Sequence, residues 1–169
     1  MAQKTLQTMF IEELRDIYSA ERQIVRALPK LAKAASADDL RQALETHLEE
    51  TRGQVERLDK VFETLDTSSR SRGKKCEAME GMLSEANELL DLGLSPEALD
   101  SAIIAAAQKV EHYEIASYGS AIAWAVALGY NEAADILSET LEEERNADQI
   151  LNKASRTVND TAAEQVRAA

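Results

Sequence analysis

Seven residues interrupt otherwise apolar stripes with groups that bind cations: Glu21, His47, Glu50, Glu111, Glu114, Glu144 and Asp148. Glu21 falls between Ile17 and the Ile24/Leu28 pair. His47 and Glu50 fall between Leu44 and Val55, and Glu111 and Glu114 between Ala107 and Ser117/Tyr118. Glu144 and Asp148 fall between Leu141 and Leu151. A carboxylate on an interior face is costly without a partner. Taken singly, each of these reads best as a helix-edge residue that reaches water. Six carboxylates and an imidazole around one point need compensation, and a pair of hard cations supplies it better than protonation does. Carboxylate plus imidazole suits iron or manganese and disfavours the metals that seek thiolates.

The elements that must position these residues follow from apolar spacing. A first helix is expected from about Thr5 to Ala34, with Pro29 able to kink it near its end. Ser36-Ala-Asp-Asp39 resembles a capping box and opens a second helix to about Leu65. A polar loop, Asp66 to Lys74, leads to a short helix from Lys75 to about Asp91. Ser95-Pro96-Glu97 reads as N-cap, first-turn proline and first-turn acid of a helix to about Leu128, which Gly129 closes. Asn131 is expected to cap a last helix to about Val158. The chain divides into a single domain, 1–160, and a tail, 161–169.

Two tight hairpins are joined by about thirty residues, enough to cross the whole bundle, since a helix of 28 residues is about 42 Å long, and the second and third long helices can then run parallel. The fold class expected is all-α: a ferritin-like four-helix bundle with one long crossover carrying an extra short helix. With the turns centred near Ser36 and Tyr130, Glu21 and Glu50 stand 15 residues before and 14 after the first. Glu114 and Glu144 stand 16 before and 14 after the second. One Glu from each long helix therefore reaches one level. His47, Glu111 and Asp148 are displaced by three or four residues towards the same end of the bundle.

Composition limits the function. The chain has 169 residues, enough for one core, and a net charge of −12, which opposes binding to nucleic acid and to anionic membrane surfaces. The six acids of the set account for half of that excess. The weakly polar stretch Ile115–Tyr130 is short for a membrane span, and charges come too early at the N-terminus for a secretory leader, so a cytoplasmic protein is expected. The single cysteine, Cys76, excludes an internal disulfide and a multi-cysteine zinc site, and reads as a small half-buried helix residue.

At these residues the chain resembles the YciE/YciF-type ferritin-like proteins of bacteria, and most closely the YciF branch. The segments that carry the likeness are YSAERQ (18–23), HLEETRGQVERL (47–58), KCEAMEGMLSEANE (75–88), AAAQKVEHYEIASYG (105–119) and LEEERNAD (141–148). The resemblance implies a metal-binding bundle that dimerises and is associated with stress responses, without fixing a reaction. The wider ferritin-like pattern, Glu-x-x-His on the second and fourth long helices, is altered here. His47-x-x-Glu50 reverses it, Gly53 holds one histidine slot and Ala147 the other, with Asp148 the nearest substitute. Glu111-x-x-Glu114 resembles the rubrerythrin arrangement, but the rubredoxin-like cysteine pairs are absent.

The reading is a centre of two iron ions, with manganese or a mixed pair as alternatives. Glu50 and Glu144 would bridge, Glu21 and Glu114 would be terminal or semi-bridging, and His47, Glu111 and Asp148 would complete the ligand set. As an enzyme the chain would be a non-haem di-iron oxidoreductase, oxidising Fe(II) or removing reactive oxygen, and a homodimer. The alternative is a non-catalytic dimeric acidic bundle with a structural or stress-interaction role. Stripe phase favours Glu144 over Glu143. His112 is expected at the surface or an interface, Trp124 in the core, and Tyr18 and Tyr118 packed with a hydrogen bond to a ligand carboxylate.

Overall fold

The computed structural model describes residues 4–65 and 74–168. The expected loop at 66–73 lies outside them. Five helices follow in order: α1 (Leu6–Ala34), α2 (Asp38–Thr64), α3 (Glu77–Leu90), α4 (Pro96–Ala127) and α5 (Asn131–Ala168).

Most ends follow from local chemistry. Thr5 and Thr8 form a reciprocal capping box on α1, which continues through the exposed Pro29. Ser95 Oγ accepts from Ala98 N at 3.3 Å, with Pro96 in the first turn of α4. Gly129 adopts φ 77°, and its N–H bonds Val126 O while Tyr130 N–H bonds Ala125 O, a Schellman closure. Asn131, expected as the cap of α5, is instead its first helical residue. α5 continues to Ala168, through the segment expected as a tail.

The start of α2 departs from the sequence reading. Its N-cap is Ala37, with no side-chain bond from a capping box. The carboxylate of Asp100, reaching across from α4, instead fixes the two residues that lead into the helix. It accepts from Ser36 N at 2.7 Å and Ala37 N at 2.8 Å.

Cross-helix contacts give the topology. Glu21 meets Tyr118 and Phe10 stacks on Tyr130, so α1 and α4 run antiparallel. Gln54 meets Glu144, and Arg57 meets Thr140, so α2 and α5 do too. Gln108 meets Asn152, and Ser101 meets Asn159, which makes α4 and α5 an antiparallel hairpin. Hence α2 and α4 run parallel, as a crossover requires. The crossover helix α3 seats Met79 and Ala86 against α1 and α4.

The apolar core is two clusters. One gathers Ile24, Leu28, Leu31, Leu40, Leu44, Ile103, Val110 and Leu151 at the end of the first hairpin turn. The other gathers Phe10, Leu14, Ile17, Leu58, Phe62, Tyr118, Leu137 and Leu141 at the opposite end. Every long helix passes from one cluster to the other through a polar segment: Glu21, His47–Gln54, Glu111–Glu114 and Glu144.

Candidate metal centre

The polar layer is as buried as the clusters around it. Glu21 and Glu144 are fully buried, and Glu111 and Glu114 retain 2% exposure and His47 6%. His47, Glu111, Glu114 and Glu144 each offer a ligand atom, and all four atoms lie within 4.8 Å of one another. His47 Nε2 is 3.4 Å from Glu111 Oε1 and 3.9 Å from Glu144 Oε2. Three helices supply these four groups, and Glu21 on α1 faces Glu114 from the fourth side.

What marks the layer is unmet bonding capacity. Glu21 Oε2, both ring nitrogens of His47, Glu111 Oε2, both oxygens of Glu114 and Glu144 Oε2 are buried without a hydrogen-bond partner. Native interiors rarely leave such groups unpaired. Burial first, and then the neighbouring carboxyls, push Glu21, Glu111 and Glu114 well above the usual carboxylate range. Burial also raises Glu144, against the opposing effect of His47. Tyr118 is lifted by its own burial and then by Glu21. Without metal, the layer holds protons that a cation would displace. Oxygen-rich donors with one imidazole fit a hard or borderline divalent ion such as iron or manganese.

Surrounding groups hold the candidate ligands in place. Tyr118 donates its hydroxyl to Glu21 Oε1 at 2.5 Å. Gln54 donates to Glu144 and, at 3.1 Å, to Glu143 Oε2. Arg57 binds Glu143 and Thr140 Oγ1, fixing the flank of α5.

The remaining candidates stand outside this knot. Glu50 keeps 31% side-chain exposure, with Oε2 3.5 Å from His47 Nδ1. Asp148 lies on the flank of α5 that faces α4, where Gln108 and Asn152 donate to it and His112 Nε2 is 3.3 Å away. Ala147 takes the interior position. Glu143 is the flanking residue and Glu144 the buried one, as stripe phase indicates. His112 is at the surface, and Trp124 is only partly buried against the second cluster. Tyr18 packs edge-to-face on Phe62, with ring centres 6.0 Å apart. Cys76 is fully buried as the N-cap of α3, its Sγ 3.0 Å from Tyr113 Oη.

Sequence reasoning missed Gln54 and Thr51, both fully buried in the layer. The signal was available: Leu44, His47, Thr51, Gln54 and Leu58 recur at alternating three- and four-residue steps, the mark of one helix face.

A family model described as a domain of unknown function (DUF892) matches residues 5–164. The chain belongs to this family. Protein YciF of Escherichia coli strain K12 is 53% identical over 148 residues, covering 88% of this chain and 89% of that protein. The crystal structure of the E. coli stress protein YciF superposes with a TM-score of 0.89 at 49% identity, over 94% of this chain and 99% of that one. YcfI of Rhodopseudomonas palustris superposes with a TM-score of 0.84 at 46% identity, over 88% and 94% of the two chains. A protein from Xanthomonas campestris at 19% identity shares the fold, with a TM-score of 0.74 over 96% and 99%. Among the described residues of this YciF-family chain, no helix is long and apolar enough to cross a membrane.

Proposed function

We propose that the polar layer holds a carboxylate-bridged di-metal centre, two irons or their manganese or mixed equivalents. The chain would use it to oxidise Fe(II) or to remove reactive oxygen under stress. The observation that carries this reading is the set of buried, unpartnered oxygens and imidazole nitrogens converging from four helices. A ferrous pair, when bound, supplies the electrons that reduce dioxygen or a peroxide. His47, Glu111, Glu114 and Glu144 would be the principal ligands, with Glu21 beside Glu114. Glu50 and Asp148 reach the layer's edge and would complete the set by small side-chain movements. Gln54 and Tyr118 orient Glu144 and Glu21, and the two apolar clusters keep bulk water away from both ends. The same reading makes the chain a cytoplasmic homodimer, as its resemblance to YciF-type proteins implies.

A melting curve recorded anaerobically with and without Fe(II) tests the centre. A ligand that binds only the native state stabilises it by about 2.7 kcal/mol at a hundredfold excess over its Kd. The melting temperature of the wild type should rise by several degrees, and that of Glu144→Gln should not. An unchanged wild-type curve would favour the non-catalytic bundle.

A further inference from the structure

A cavity of about 240 Å³ opens between α2 and α5 and ends at the ligand cluster. We propose that it binds a small uncharged molecule with an apolar body and one terminal O–H group: an alcohol, a phenol or a hydroperoxide. Binding is proposed for the metal-free chain, where the His47 and Glu111 atoms are unspent; that the molecule is a substrate rests on the metal reading above, in which the ions those residues would hold meet the O–H group in their place.

The size suits such a molecule. An apolar cavity of about 150 Å³ holds benzene, so this one has room for a ring or short branched chain and its head group. The walls are apolar, formed by Ala43, Leu44, Ala147 and Leu151. Polar residues stand at the two ends: Asp39, Gln42, Thr46 and Glu50 towards solvent, and the buried His47 and Glu111 at the inner end. Both are more than nine-tenths buried, and both His47 ring nitrogens and Glu111 Oε2 lack a hydrogen-bond partner. A hydroxyl both donates and accepts, so one O–H can serve a carboxyl oxygen and an imidazole nitrogen together. Few convergent polar groups at the end of an apolar cleft are the usual make-up of a small-molecule site.

Charge selects against the alternatives. Asp39 and Glu50 line the cavity nearer to solvent, Asp39 exposed and Glu50 half-buried. They repel a carboxylate or phosphate tail. An ammonium would lose its hydration on passing from the rim to the apolar inner walls.

Titration of the metal-free full chain with benzyl alcohol, followed by backbone amide shifts, tests the proposal. Saturable binding of one molecule per chain is expected, with shifts confined to 39–50 of α2, 147–151 of α5 and the turn around Glu111 of α4. Ala43→Phe fills the cavity from a half-exposed wall and should weaken binding about tenfold or more, the equivalent of losing one small apolar group's worth of contact. Ile150→Asp, at the exposed rim, should weaken it several-fold and leave the melting temperature unchanged. Benzoate should bind at least about tenfold more weakly than the alcohol, because the rim acids repel it. Absence of saturation, binding indifferent to both substitutions, or equal affinity for benzoate would each overturn the proposal. A chain that takes the alcohol but no iron defeats the metal reading and leaves the cavity assignment standing. A chain that takes iron but not the alcohol does the reverse.

Discussion

Asp100 and Glu114 are carboxylates on the same helix, with 3% and 2% of their surface exposed. Their surroundings differ in one respect. Both oxygens of Asp100 accept backbone N–H groups, from Ser36 and Ala37, whereas neither oxygen of Glu114 accepts from a backbone N–H, and its one neighbour for bonding is another buried carboxyl, Glu21. Asp100 satisfies the backbone of the turn that leads into α2, so its burial is explained by the fold. Glu114 meets no structural need and sits among three other buried carboxyls. A buried acid with its partners is architecture; one without them, in a group, points to a ligand the fold is built to receive.

The largest expected effect breaks the structural member of the pair. Asp100→Ala leaves two backbone N–H groups in the turn that leads into α2 without acceptors and should cost about 3 kcal/mol, since charge-assisted bonds contribute about 1.5–3 kcal/mol each and water recovers part of the loss. Urea unfolding measures it. A loss below about 0.5 kcal/mol, the range of ordinary surface changes, would show that the bonds to this turn are incidental and would undo the contrast.

The opposite sign is expected for Glu114→Gln. In metal-free protein the change removes a desolvated ionisable group and leaves an amide that can still donate to Glu21, and should leave stability unchanged or raise it by about 1 kcal/mol. Clear destabilisation would mean that Glu114 is structural after all. The same substitution should abolish stabilisation by Fe(II).

A smaller effect separates the two through pH. Glu21, Glu111, Glu114 and Glu144 are held above the ordinary value of 4.5, chiefly by burial. Above about pH 4.5 the unfolded chain releases protons that the folded chain retains. The metal-free protein is therefore progressively less stable as pH rises from there towards the elevated folded values. Glu114→Gln removes one of these groups, so its stability relative to wild type should improve steadily as pH rises above the ordinary value of 4.5. Melting curves across that range report it. A difference that stays flat or moves the other way would contradict the protonated layer.

Much of this contrast can be read from the sequence, and for definable reasons. Short hairpin turns and a fixed rise per residue are enough to bring Glu21, Glu114 and Glu144 to one level. Helix phase chooses Glu144 over Glu143. Phase also explains the difference at Glu50. The interior face of α2 runs through Leu44, His47, Thr51, Gln54 and Leu58, and Glu50 lies at its edge. Reading Val55 into that stripe hid Gln54. On α5 the interior face steps from Glu144 to Ala147, which leaves Asp148 on the flank beside His112. Asp100 carries no local signal, because its partners are 63 and 64 residues away in the chain. A bonding group supplied by another helix is visible only once the helices have packed. The cavity beside His47 is likewise a product of packing, formed where small residues such as Ala43 and Ala147 face one another across two helices.

Whether the layer holds metal decides between a di-metal centre and an acidic bundle. Elemental analysis after anaerobic loading with Fe(II) and removal of unbound ions measures this directly, with Glu114→Gln alongside. About two irons should be retained per wild-type chain, the number a carboxylate-bridged pair requires, with a substantial loss of them in the variant. A folded wild-type chain that retains neither iron nor manganese after loading with either would contradict the di-metal centre.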